Sequence, residues 1–166
     1  MALTEQQRQE AAERLAQAER TLSPIDALTQ LYPGIDGADA YDVQLRQIVA
    51  KKAAGARVVG KKIGLTSKAL QQQLGITSPD YGHLMDSFPV RDGGEIERGS
   101  LIWPRVEPEI AFVLDKPLRG PGVNVAQVLA ATRYVTPAFE IIDSRIKDWK
   151  IKFEDTVADN GSSARY

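Results

Sequence analysis

Cysteine is absent from these 166 residues, and histidine occurs once, as His83. The first absence removes disulfides, thiolate zinc sites and cysteine nucleophiles together, and is compatible with a reducing compartment. The second excludes histidine-rich metal centres and leaves a Ser-His-Asp triad a single histidine to be built around. No stretch approaches the about 18 apolar residues of a membrane span, and residues 1–22 form a polar, charged segment without a signal peptide's apolar centre. A soluble cytoplasmic protein is expected. With a net charge of −1 there is no general basic field. No lysine or arginine cluster alternates with aromatics, so neither nucleic acid nor a membrane is an expected partner. Any metal chemistry falls to carboxylates, and all-oxygen ligation favours magnesium, manganese or calcium over zinc or copper.

What is present suffices for one domain, with about 70% of the unfolded surface buried. Thr4 followed by Gln7 is a capping box, and Ala11, Leu15, Ala18 and Leu22 recur at helical spacing until Pro24. A second helix starts at Asp36 to Asp39, carries Tyr41, Leu45, Ile48 and Val49 on one stripe, and ends at Gly55. The period then changes. Arg57 to Ile63 is short, β-branched and glycine-containing, as a strand is. Ser67 to Leu74 is expected as a short helix closed by Gly75, and Thr77 to His83 as a loop. Asn124 with Gln127 opens another helix, Tyr134 to Ile142 is a strand, and Asp148 to Val157 is a charged connection or a further strand. This divides into an N-terminal helical region, 1–56, and a strand-rich region, 57–166, within one compact unit.

The acids are the chemical signal. Glu107 and Glu109 precede the apolar run Ile110 to Leu114, which is expected to be a buried strand, so both carboxylates point to one face. About 6.6 Å apart at Cα, the two charges repel by about 2.5 kcal/mol at an effective dielectric near 20. A divalent cation, protonation of one acid, or an arginine partner would each offset that. Glu140, between Phe139 and Ile141, is a third acid among apolar neighbours. The plainer alternative is a solvated set of acids paired with Arg105 or Arg145.

Five ordered segments are more specific: Gly60-Lys61-Lys62-Ile63-Gly64-Leu65-Thr66-Ser67, Pro79-Asp80-Tyr81-Gly82, Pro104 to Leu114, Phe139 to Arg145, and Asp155 to Asn160. Together they resemble the signature of the 2-keto-4-pentenoate hydratase and 4-oxalocrotonate decarboxylase family, within the fumarylacetoacetate hydrolase superfamily. The resemblance implies an α+β fold, with N-terminal helices packed on a mixed β-sheet rolled into a distorted barrel. It implies that Glu107, Glu109 and Glu140 bind Mg2+ or Mn2+, and that Lys62 and Asp80 line the substrate pocket as catalytic residues. The substrate implied is a small 2-oxo or 2-hydroxy-dienoic acid, gripped through its carboxylate and neighbouring oxygen by a cation that acts as a Lewis acid.

Two activities share such a site. One is hydration of 2-hydroxypenta-2,4-dienoate to 4-hydroxy-2-oxopentanoate in meta-cleavage degradation of aromatic compounds; the other is decarboxylation of 2-oxo-3-hexenedioate. Asp143 to Lys152, continuing through Thr156, resembles the hydratases, which is the expected activity. Gly161 to Tyr166 resembles the decarboxylases, with Ser162 and Ser163 as hydrogen-bond donors to substrate and Arg165 as a partner for a second carboxylate. Family chains continue past Asn160 through further strands, so a truncated product or fragment is expected. A homo-oligomer, association with a pathway partner enzyme, and a non-catalytic subunit whose acids only form salt bridges are the remaining expectations.

Overall fold

The computed structural model describes every residue except Met1, Gly75 and Thr77, and the side chains of all others except Leu70, Gln73 and Leu74. The expected helix closure at Gly75, and Thr77 of the expected loop, lie outside the described residues. Helices α1 (Glu5–Thr21), α2 (Leu28–Leu31) and α3 (Gly37–Ala53) come first, followed by β1 (Val58–Gly64), α4 (Lys68–Leu74) and β2 (Asp80–Met85). Next are β3 (Arg105–Leu114), α5 (Val125–Ala131), β4 (Thr132–Ile142), α6 (Phe153–Ala158) and β5 (Ser163–Arg165). The chain is therefore α+β. Among the described residues the named strands pair only antiparallel, as a β1-β2 ribbon and a β3-β4-β5 sheet, and no closed barrel forms. The expected mixed sheet is thus corrected: the connections through α4 and α5 bring the chain back at the strand end it left, and one isolated Ile25–Ile146 bridge is the parallel contact.

Helix starts follow local chemistry. Thr4 with Gln7, Asp36 with Asp39 and Asn124 with Gln127 each form a reciprocal capping box, which satisfies two of the N–H groups that every helix start leaves unpaired. The α1 stripe is buried at Ala11, Leu15 and Ala18, whereas Leu22 turns left-handed (φ 53°) and ends the helix in solvent. In α3 the buried face is rotated from the expected one. Leu45 and Val49 are exposed, while Gln44 and Gln47 are buried. Their amides donate to the carbonyls of Tyr81, Val157 and Ala158, so two polar residues act as clamps on strand and helix backbones.

The main core joins Leu15, Leu28, Ala40 and Val43 to Ile146, Val157 and Ala158, so it draws on both ends of the sequence. Its C-terminal part comes from α6, where a connection or strand was expected. That helix is fixed by Asp155, which is fully buried, accepts from the N–H of Lys152 at its own start, and accepts from the N–H and Oγ1 of Thr29 across the core.

The β3 expectation is also corrected. Ile110 is 61% exposed and Phe112 55%, because the face of the β3-β4 hairpin that carries them lacks a covering layer among the described residues, while Ala111 and Val113 on the other face are half-buried. No helix is long and apolar enough to cross a membrane among the described residues.

Candidate active site

Alternation along β3 does put Glu107 and Glu109 on one face, and the antiparallel register sets Glu107 directly opposite Glu140 on β4. One carboxylate oxygen from each of the three acids lies within 4.8 Å of the others. Glu107 and Glu109 are exposed, whereas Glu140 is 7% exposed. Opposed like charges at a cross-strand pair are destabilising, so cations or donors must gather there. They come from elsewhere than expected. Arg105 lays its guanidinium over the Trp149 ring at 4.1 Å, and Arg145 is committed to Asp159. It is Lys62 of β1 that faces Glu140, with Nζ 3.5 Å from Oε2, while Ser163 Oγ donates to Oε1 at 2.9 Å.

Lys62 and Asp80 come together because β1 and β2 pair antiparallel, with Gly64 opposite Asp80. Asp80 is 3% exposed and its Oδ1 has no hydrogen-bond partner among the described residues. Burial pushes its carboxyl above the usual range, against the opposing pull of Lys62 and of the Gly64 and Asp80 backbone N–H groups. Two glycines make room for this pair. A Cβ at Gly64 would collide with Asp80 Oδ1, and one at Gly161 with Lys62 Cε. Sequence reading had not singled out either position.

Lys62, Asp80, Glu107, Gly161 and Ser162 line one cavity of about 580 Å³, walled on its apolar side by Leu65, Ile142, Ile151 and Phe153. Of the expected substrate contacts, Ser162 reaches this cavity, although its hydroxyl donates to Asp159 Oδ2. Ser163 faces Glu140 instead. Arg165 stands apart: its guanidinium donates to the carbonyl of Ala164, and it lines a separate cavity of about 130 Å³ with Glu19. Burial alone would raise the Glu19 carboxyl, but its ion pair with Lys51, with smaller contributions from the Arg145 and Arg165 charges, holds it below its ordinary value.

The frame around the site is built by three further residues. Asp143 accepts from the N–H groups of Ile102 and Trp103, fixing the chain just before β3. Asp159 accepts from the Arg145 backbone N–H and Nε, and from the Ser144 and Ser162 hydroxyls. Asn160 exchanges a pair of hydrogen bonds with the backbone of His83. His83 is buried with Nδ1 against Gln44 Oε1, and burial, then the Lys61 charge, lowers its pKa to about 4. It is a structural residue outside the cavity. Asn160, Gly161 and Ser162 are all left-handed, with φ of 57°, 61° and 55°, a conformation that costs non-glycine residues about 1–3 kcal/mol each unless the surroundings over-determine it. Asn160-Gly161 is a dipeptide that favours a turn, but its long-range partners have no local signal.

Three clustered carboxylates form an all-oxygen donor set of the kind hard divalent cations take, so the residues fit Mg2+. Together with the fold they define an α+β protein with a carboxylate-lined site beside a lysine and a buried aspartate. No family model matches the chain. It is 50% identical over 154 residues to a 2-hydroxypent-2,4-dienoate hydratase of Pseudomonas putida, covering 92% of this chain and 69% of that protein. It is 51% identical over 152 residues to a 2-hydroxyhexa-2,4-dienoate hydratase of Comamonas testosteroni, covering 90% of this chain but 58% of that one. Among solved structures, a 4-oxalocrotonate decarboxylase from Pseudomonas putida G7, complexed with magnesium and adipate, superposes with a TM-score of 0.93 at 44% identity. That match covers 98% of this chain and 62% of the neighbour, so the chain spans about three-fifths of the length of most of these proteins. The chain belongs to the 2-keto-4-pentenoate hydratase / 4-oxalocrotonate decarboxylase family.

Proposed function

We propose that the chain carries the metal and proton-transfer half of a hydratase that adds water to 2-hydroxypenta-2,4-dienoate, giving 4-hydroxy-2-oxopentanoate in aromatic-compound catabolism. The observation that carries this reading is the approach of Glu107, Glu109 and Glu140 to within 4.8 Å of one another, beside the cavity that holds Lys62 and Asp80. The three acids are the ligands of Mg2+, or of Mn2+, whose role when bound is that of a Lewis acid for a 2-oxo acid. Lys62, 3.5 Å from Glu140 Oε2, holds developing negative charge on the substrate oxygen. Asp80 handles the proton: with a raised pKa and an unpartnered Oδ1, it is suited to accept one at that atom and return it. Leu65, Ile142, Ile151 and Phe153 in the cavity lining suit the carbon chain of a diene.

The position of Arg165 favours hydration over decarboxylation of a dioate, because the side chain expected to bind a second carboxylate lines a cavity other than the one that holds Lys62 and Asp80. The hydratase relatives at 50% and 51% identity point the same way. A decarboxylase of Pseudomonas sp. (strain CF600) at 46% over 164 residues keeps the second activity in view. A rolled sheet enclosing the site, a homo-oligomeric state and a cytoplasmic location complete the proposal; the exposed Val106, Ile110, Phe112 and Phe139 support burial of the hairpin against further protein.

Two measurements test it. Mg2+ at 100 times its Kd should stabilise the chain by about 2.7 kcal/mol, and Glu140→Gln should abolish the rise in unfolding midpoint. With magnesium, 2-hydroxypenta-2,4-dienoate should be consumed. Carbon dioxide release from 2-oxo-3-hexenedioate without consumption of the dienoate would overturn the choice of activity.

A further inference from the structure

Glu140 differs from its two companions in being held. Glu107 and Glu109 are exposed and accept no hydrogen bond from any described side chain, so their carboxylates are free to turn. The two oxygens of Glu140 have separate partners. Oε2 faces Lys62 at 3.5 Å, longer than the about 2.7–2.9 Å of a firm charge-assisted bond. Oε1 receives the Ser163 hydroxyl at 2.9 Å, and Ser163 is only 2% exposed. The short bond to the buried side thus sets the rotation of the carboxylate, and the loosely engaged oxygen is the one left toward Lys62.

The place of Ser163 is itself over-determined. It pairs with Ile142 at the irregularity where β5 joins β4. Its carbonyl accepts from Arg145 Nη1 at 3.3 Å, and the carbonyl of the preceding Ser162 accepts from the Asp143 N–H at 2.7 Å. The three left-handed residues Asn160 to Ser162 deliver the chain into that position, and Asp159, fully buried, fastens the turn to Arg145. A strained turn secured by a buried ion pair is a large outlay for a three-residue strand. Its product is one hydroxyl aimed at one oxygen of Glu140.

We infer that Ser163 is a positioning residue for the divalent-cation site: its hydroxyl locks Glu140 Oε1 so that Oε2 is presented to the cation, with Arg145 and Asp159 as the anchor behind it. This rests on the proposed role of the three acids, and it assigns Ser163 a task other than substrate binding. Partners of this kind behind metal-ligating carboxylates typically change metal affinity by about 10–100-fold when removed.

The test uses Mn2+ alone as probe, with free ion measured by electron paramagnetic resonance and binding heat by calorimetry, on the parent chain, Ser163→Ala, Ser163→Thr and Glu140→Gln. Ser163→Ala should weaken Mn2+ binding by about 10–100-fold while its metal-free unfolding midpoint and far-ultraviolet spectrum match the parent. Ser163→Thr, which keeps the hydroxyl, should restore affinity to within about threefold. Mn2+ affinity of Ser163→Ala within about threefold of the parent overturns the inference and leaves the metal site standing. A matching fall in the metal-free midpoint, with no rescue by threonine, makes Ser163 a packing residue and also overturns it. Absence of Mn2+ binding by the parent, or binding undiminished by Glu140→Gln, removes the metal reading and this inference together.

Discussion

Asp159→Asn should be among the most destabilising conservative changes in the molecule. Asp159 is fully buried and Arg145 is 6% exposed, so neither charge has water to fall back on. The asparagine keeps the size of the side chain and can still accept from Nε, but it leaves the guanidinium without a countercharge. Removing one partner of a buried pair costs about 3–5 kcal/mol. For a chain of this size each kcal/mol moves the unfolding midpoint by about 2–4 °C, so a fall of about 6–20 °C is expected. Urea denaturation followed by Trp103 and Trp149 fluorescence would give the same loss as free energy. Hydrogen exchange at Ser162 and Ser163 should accelerate, because the left-handed turn loses its fastening. Adding Arg145→Met should recover part of the loss, since an apolar pair avoids the stranded charge. A loss below about 1 kcal/mol, the size of an exposed ion pair, would refute the argument that this clamp holds the turn.

In steady-state kinetics beside thermal melts, Lys62→Met should lower turnover of the dienoate by about 10²–10⁴-fold and should also lower the metal-free unfolding midpoint, because it strands the buried Glu140 carboxylate. Gly161→Ala should cost about 1–2 kcal/mol for a methyl in a left-handed position, and should displace Lys62, so activity falls. His83 has its pKa lowered to about 4 in the fold from 6.5, so the unfolded chain takes up the proton first as pH falls. Its contribution to stability is complete above 6.5 and drains away toward 4, on the order of 2 kcal/mol after allowing for partial solvent screening. In His83→Gln, urea midpoints across that window should fall less steeply than in the parent. Phe112→Lys should reduce self-association seen by sedimentation velocity, because it breaks an exposed apolar surface that includes Ile110 and Val135.

Much of the site was legible in the residues. The pairs Thr4–Gln7 and Asn124–Gln127 depend on spacing within one helical turn and each formed where the sequence placed it, and the helix expected to start at Asp36 to Asp39 begins there. The alternation that sets Glu107 and Glu109 on one face is equally local. The α6 segment was missed because Asp155 is secured by Thr29, 126 positions away, an interaction that no local pattern contains. The rotated face of α3 was missed for a related reason: Gln44 and Gln47 look like solvent-facing residues until the carbonyls of Tyr81, Val157 and Ala158 are placed against them.

By itself, then, the sequence determined which chemistry was open: without cysteine and with one histidine, any metal ligands would have to be carboxylates, and periodicity put two acids on one side of a strand. Tertiary structure alone decided the rest. It chose Lys62 over Arg105 and Arg145 as the cation beside Glu140, turned Ser163 onto that carboxylate, and left Arg165 lining a separate cavity. The reason is physical. Helix starts and strand faces are set by neighbours a few residues apart, whereas charge pairing is set by whichever groups the folded chain desolvates together, and those groups lie far apart in sequence.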